Sequence, residues 1–152
     1  VEAIHSADMI VLAPGSLYTS IIPNLLVDGI ADAIRGSKAL KLYVCNVMTQ
    51  EGETEGYTVS DHIQALFHHS YPELFRLCLT NSTPIPESIA LRYAQEGAEP
   101  IYHDVEKCRA LGVELIDRPV AALENGLVRH NPGHLAHELM TIYEEYKPKD
   151  PA

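Results

Sequence analysis

Basic side chains are scarce in this chain: 11 Lys and Arg stand against 21 Asp and Glu among 152 residues, a formal charge of -10. Binding to nucleic acid needs clustered Lys and Arg, so this balance argues against a nucleic-acid partner and gives weight to the few basic residues near loops. Cysteine is limited to Cys45, Cys78 and Cys108, widely spaced and without a C-x-x-C, which excludes paired metal or redox motifs and fits reduced core thiols. No apolar run approaches the roughly 20 residues of a bilayer span, so no membrane insertion is expected. The first residues also lack the basic-then-apolar layout of a signal peptide. Three sharp motifs are missing: the P-loop spacing G-x-x-x-x-G-K-[ST], the dinucleotide fingerprint G-x-G-x-x-G, and the nucleophile elbow G-x-S-x-G. Gly15 and Ser16 are adjacent, which disfavours Ser16 as a hydrolase nucleophile.

What is present is a chain 46% hydrophobic, enough for one ordinary core. Residues 1–146 read as a single α/β domain and 147–152 as a charged, Pro-containing, frayed tail. The chain opens at Val1 and moves at once into AIHSADMIVL, which suggests the C-terminal part of a longer protein. A helix tail at 1–7 leads to a strand at 9–12, a polar turn, and an amphipathic helix over 20–35 in which Pro23 must fall in the first turn. A strand over 40–47 is followed by a second polar loop, 46–57, and a helix over 60–70 capped by Thr58 or Ser60. Strands at 74–79, 100–102 and 113–116 alternate with helices at 86–95 and 104–111, and 127–146 repeats strand, turn and helix. Such alternation predicts a mainly parallel, Rossmann-like sheet with helices on both faces.

The stretch APGSLYTSIIPNLL, 13–26, sits where a ligand binds in open α/β sheets, after the carboxyl end of a strand, where helix N-termini offer unpaired N–H groups. Gly15 permits close backbone approach, and Ser16, Tyr18, Thr19 and Ser20 form a candidate ligand loop, with simple capping as the alternative. Asn24, one turn on, either reaches the same space or is a solvated helix position. In the second loop Asn46, Thr49 and Gln50 offer groups suited to a base, ribose or sugar. Glu53 and Glu55 would repel a phosphate without a cation; a hard ion such as Mg²⁺ needs only one or two carboxylates and is compatible with the loop, but a solvated acidic loop is the favoured reading. Arg129 and His130, at a strand end in an acidic protein, are candidates for countering a phosphate, with a surface salt bridge as the alternative. His130, His134, His137 and Glu138 resemble a zinc set only superficially, because H-E-x-x-H is absent, and no metal site is assigned. Tyr57 and His62 could stack, relay a proton or simply pack. No nucleophile and base pair is recognisable, so catalytic residues are left unassigned.

The segments PGSLYTSIIPNLL (14–26), NVMTQEGET (46–54) and YTVSDH (57–62), with the late Val128-Arg129-His130, resemble the bacterial gluconeogenesis factor family, relatives of the 2-phospho-L-lactate transferase (CofD). The resemblance covers essentially the whole chain but implies that it is the C-terminal half, lacking a family strand and GGGTG-type turn. Ala13 stands where the family suggests a Gly. The resemblance implies a cytoplasmic protein that supports cell shape and cell-wall synthesis during growth on gluconeogenic carbon. The implied ligands are UDP-sugars, or a guanosine nucleotide with Mg²⁺ in the transferase branch. Two readings follow: a nucleotide-sugar-binding regulatory protein without chemistry, or a Mg²⁺-dependent phospho-group transferase working by positioning and charge neutralisation. A homo-oligomer is expected in either case, and a chiefly scaffolding role is a third reading.

Overall fold

The structure, a computed structural model, describes residues 1–149. Its elements run α1 (Glu2–Ser6), β1 (Met9–Leu12), a π-helical turn (Leu17–Ile21) continuing into α2 (Ile22–Leu25), α3 (Ile30–Gly36), β2 (Leu40–Val44) and α4 (Val59–His68). There follow β3 (Leu77–Asn81), α5 (Glu87–Gln95), α6 (Val105–Ala110), β4 (Glu114–Arg118), β5 (Ala121–Glu124), β6 (Leu127–His130) and α7 (Pro132–Tyr146). The tail beyond residue 149 lies outside the described residues.

Strands β1 to β4 form a parallel sheet in the order β1-β2-β3-β4. Met9 pairs with Leu40, Leu42 with Leu77, and Leu77 with Glu114, so the carboxyl ends of all four strands line one rim. Alternation divides the apolar residues between two faces. On one face Leu12, Tyr43, Cys45 and Cys78 pack with Leu25, Ile34, Ile63, Leu66 and Cys108 from the crossover helices α2, α3, α4 and α6. On the other, Leu42, Val44, Leu77, Leu79 and Ile116 meet Leu135, Leu139 and Ile142 of α7. Helices therefore cover both faces, as the strand and helix alternation predicts. No single helix among the described residues is long and apolar enough to cross a membrane.

Several expected elements change. The helix expected over 20–35 is two helices bent by 72°, because Gly29 takes the left-handed conformation at φ 83 and interrupts the run. Pro23 does fall in the first turn of α2. The strand expected at 74–79 begins later, at Leu77, while Leu74 and Phe75 are buried from the preceding loop. Residues 100–102 are not a strand of the sheet. Pro100 makes a single antiparallel bridge to Met48, and Val59 donates to the Tyr102 carbonyl at 3.0 Å, so this stretch straps the second loop in place. The segment 127–130 does not continue the parallel pattern either. It pairs antiparallel with β5, Ala122 opposite Arg129, as a separate hairpin. Asn125 and Gly126 turn that hairpin with φ 51 and 73, the geometry that an Asn-Gly pair favours.

Candidate functional site

The turn after β1 and the loop after β2 meet at the carboxyl rim, as expected of neighbouring parallel strands. They are joined by one side chain. Asn46 Oδ1 accepts from the Gly15 N–H at 3.1 Å, and Asn46 Nδ2 donates to the Gly15 carbonyl at 2.8 Å, a pairing across 31 residues. The Asn46 amide, read from sequence as a ligand group, thus uses one acceptor and one donor to hold the loops together. Glu53 Oε1 accepts from the Tyr18 N–H at 2.7 Å, while the Ser20 and Ile21 N–H groups donate to the Ser16 carbonyl at 2.9 and 3.0 Å. The N–H groups of Gly15, Tyr18, Ser20 and Ile21 therefore have protein partners and are not an open anion cradle. Gly15 is tightly enclosed: a Cβ there would lie 3.3 Å from Ile21 Cδ1.

The second loop is closed on itself and anchored from below. Thr54 Oγ1 accepts from Gln50 N–H at 2.9 Å, and Thr49 exchanges bonds with Glu99, giving N–H to its carbonyl at 2.8 Å and accepting its N–H at 2.9 Å. At the loop's end Thr58 caps α4 reciprocally with Asp61. His62 is buried there, with Nδ1 2.8 Å from the Thr58 carbonyl and its ring edge-on to Tyr57. Burial lowers the His62 pKa, against a smaller upward pull from the Thr58 backbone.

Above these loops opens a cavity of about 650 Å3. Gly15, Ser16, Asn46, Thr49, Gln50, Arg129 and His130 all line it, so the structure brings together the two loops and the β6 pair. Sequence reasoning missed Tyr93, on α5, which lines the same cavity and whose hydroxyl accepts from the Val128 N–H at 2.8 Å, tying down the hairpin strand beside Arg129. No motif flags such a residue. The expected Tyr18, Thr19, Ser20 and Asn24 do not line this cavity. Tyr18 instead faces a neighbouring cavity with Tyr57, Asp61 and His69, and its hydrogen bond with Tyr57, aided by burial, pushes its hydroxyl up to about 12. Thr19 and Ser20 are exposed, and Asn24 donates to the Ser20 carbonyl at 2.6 Å beside a third cavity along β1.

Among the described residues Arg129 is the one charged side chain in the cavity wall, and it has no ion-pair partner there. Arg118 shows the contrast, held by Glu138 at 3.2 Å and Glu145 at 3.3 Å. Burial lowers the His130 pKa, only partly offset by the Cys45 backbone. No carboxylate lines the cavity, and among the described residues no group of three His, Cys, Asp or Glu side chains is placed to hold a metal. The cavity can therefore attract an anion through Arg129, but its own residues do not fit a protein-held Mg²⁺, which takes carboxylate oxygens.

Fold and site together define an α/β protein with a polar, singly cationic cavity on the loops at the carboxyl rim of a parallel sheet, the location where such sheets take their ligands. The chain belongs to the 2-phospho-L-lactate transferase CofD family, whose model matches residues 1–121. It is 46% identical over 139 residues to the gluconeogenesis factor of Halalkalibacterium halodurans, covering 91% of this chain and 43% of that protein. The gluconeogenesis factor of Bacillus subtilis is 41% identical over 145 residues, covering 95% of this chain and 46% of its own length. A crystal structure of a Bacillus halodurans protein matches with a TM-score of 0.88 at 46% identity, over 91% of this chain and 45% of that one. The chain thus spans less than half the length of these relatives.

Proposed function

We propose that this chain carries the sugar-nucleotide site of a regulatory protein that acts in the cytoplasm, supporting cell shape and cell-wall synthesis during growth on gluconeogenic carbon. The observation that carries this reading is Arg129, unpaired among the described residues of a protein of charge -10 and set in the wall of the cavity where both strand-end loops meet. An Arg without a carboxylate partner at such a place suits a diphosphate, which its planar fork can engage with two hydrogen bonds. The hydroxyl and amide groups around it suit a sugar. The relatives named gluconeogenesis factor support the gluconeogenic part of that role.

The test is isothermal titration of UDP-N-acetylglucosamine into this chain and into one extended to the relatives' full length, each with and without Arg129→Ala. Binding that falls tenfold or more in the variant is expected. Absence of binding, or binding indifferent to Arg129, refutes the reading. A second reading, a phospho-group transferase, is favoured by the family model itself. Consumption of a nucleotide donor on adding Mg²⁺ would favour that reading over simple binding.

A further inference from the structure

Arg129 stands on a hairpin with little apolar anchorage. In β5 and β6 Ala121 alone is buried, and Arg129 itself is exposed. A two-stranded ribbon is marginal in water by itself, so its hydrogen bonds to the rest of the fold must set where it lies. On the returning strand the Tyr93 hydroxyl accepts from the Val128 N–H, but Tyr93 belongs to α5, a helix with no buried residue. The root of the hairpin is held differently.

Asn81 ends β3, a strand buried from Leu77 to Thr80, and its backbone stands opposite Arg118 in the parallel ladder. Just past Arg118 the chain leaves the sheet to become the hairpin, and the Asn81 side chain follows it. Asn81 Oδ1 accepts from the Ala121 N–H at 3.0 Å and from the Val120 N–H at 3.3 Å. The same oxygen accepts from the Thr83 N–H at 3.0 Å, while Nδ2 donates to the Thr83 carbonyl at 3.0 Å. The returning strand closes on this point, where the Asn131 N–H donates to the Val120 carbonyl at 2.7 Å. Ala121 pairs with His130, and Ala122 with Arg129, so the bond to Asn81 lies next to the register position of Arg129. Asn81 does not line the Arg129 cavity, and its amide oxygen and nitrogen both bond within the protein.

We propose that Asn81 is a positioning residue for Arg129: by fastening the root of the hairpin to the end of β3 it sets where the guanidinium stands in the cavity, and so governs affinity for a phosphate-bearing ligand without touching it. This rests on the reading of Arg129 as the phosphate contact and deepens it.

The experiment is isothermal titration of UDP-N-acetylglucosamine into the wild-type chain, Asn81→Ala, Asn81→Asp, Arg129→Ala and the double variant Asn81→Ala/Arg129→Ala. Asn81→Ala weakens binding by about threefold to tenfold, the range expected for one net hydrogen bond or a little more. Asn81→Asp keeps the acceptor for Val120 and Ala121 and recovers most of that loss. In the Arg129→Ala background Asn81→Ala changes affinity by less than about twofold, because a residue that acts through another has no effect once that other is gone. Hydrogen exchange separates this from general destabilisation: in Asn81→Ala the Val120 and Ala121 amides exchange faster, while those of Leu42 and Val44 in β2 do not. Asn81→Ser, which keeps a hydroxyl but not its reach, takes the place of Asn81→Ala should that variant fold poorly. Wild-type affinity in Asn81→Ala, a loss of equal size with and without Arg129, or no recovery in Asn81→Asp overturns the proposal, and leaves the phosphate contact standing as long as Arg129→Ala alone weakens binding. Failure of the wild type to bind, or binding indifferent to Arg129, overturns the proposal together with the reading on which it rests.

Discussion

Replacing Asn46 by Asp changes one atom and reverses one interaction. The oxygen that accepts from the Gly15 N–H remains, but the nitrogen that donates to the Gly15 carbonyl at 2.8 Å becomes a second oxygen facing an oxygen. The lost bond is worth about 1 kcal/mol net, and leaving the half-buried carbonyl unpaired against a carboxylate adds a comparable amount, for a loss of about 2 kcal/mol at neutral pH. With a urea slope of about 2 kcal/mol/M, the unfolding midpoint drops by about 1 M. The introduced carboxyl can donate to the Gly15 carbonyl only when protonated, so its pKa in the folded state is raised above the unfolded value near 3.9. A raised folded pKa gives stability that is present below the unfolded pKa and lost as pH rises through the folded one. The difference between wild type and Asn46→Asp should therefore shrink as pH falls from 7.5 towards 4.5, whereas Asn46→Ala should stay destabilised at both. Urea unfolding followed by circular dichroism at the two pH values is the assay. A loss below about 0.5 kcal/mol at pH 7.5, or a loss that does not change with pH, would refute the role given to this amide.

Tyr93→Phe leaves the Val128 N–H without its acceptor and should cost about 1 kcal/mol of stability. It should also speed hydrogen exchange at the Val128 amide and weaken UDP-N-acetylglucosamine binding severalfold. Unchanged exchange there would show that the hairpin is held by other means. Burial depresses the pKa of His62 and of His130, so the unfolded chain takes up protons first as pH falls. Stability is then full above the unfolded pKa near 6.5 and declines as pH drops towards and below the folded values. Urea midpoints between pH 8 and 5 should show that decline, and His62→Asn, which removes the buried ring, should flatten it. A variant with the wild-type slope would exclude His62 as a contributor.

The meeting of the two loops was legible because each follows a strand and is polar, and because neighbouring parallel strands place such loops together. Arg129 and His130 stood out for a different reason, the scarcity of cations in an acidic chain. Other features depend on distances along the chain that no local pattern carries. Asn46 is spent on Gly15, and Glu53 on Tyr18, 31 and 35 residues apart, which is why a group suited to a ligand and a group expected to repel one both turned out to be internal fasteners. Tyr93 lies in an ordinary amphipathic helix, and only the packing of α5 against β6 gives it a part in the site. The hairpin is a case where the signal was present: Asn125-Gly126 between two short apolar runs favours antiparallel pairing over another strand and crossover. Gly29 likewise marked the break between α2 and α3, but the regular apolar spacing of 20–35 outweighed it.

The order of strands in the sheet has a consequence for how the molecule is built. Each strand from β2 to β4 pairs with the one made just before it, so these four strands can zip up in the order in which they leave the ribosome. The hairpin and α7 come last. They bring Arg129 and His130, and α7 covers the face of the sheet that the crossover helices leave bare. The loops of the cavity therefore precede its one charged side chain in the chain, and the cavity wall is complete only once the hairpin that carries Arg129 and His130 has been made.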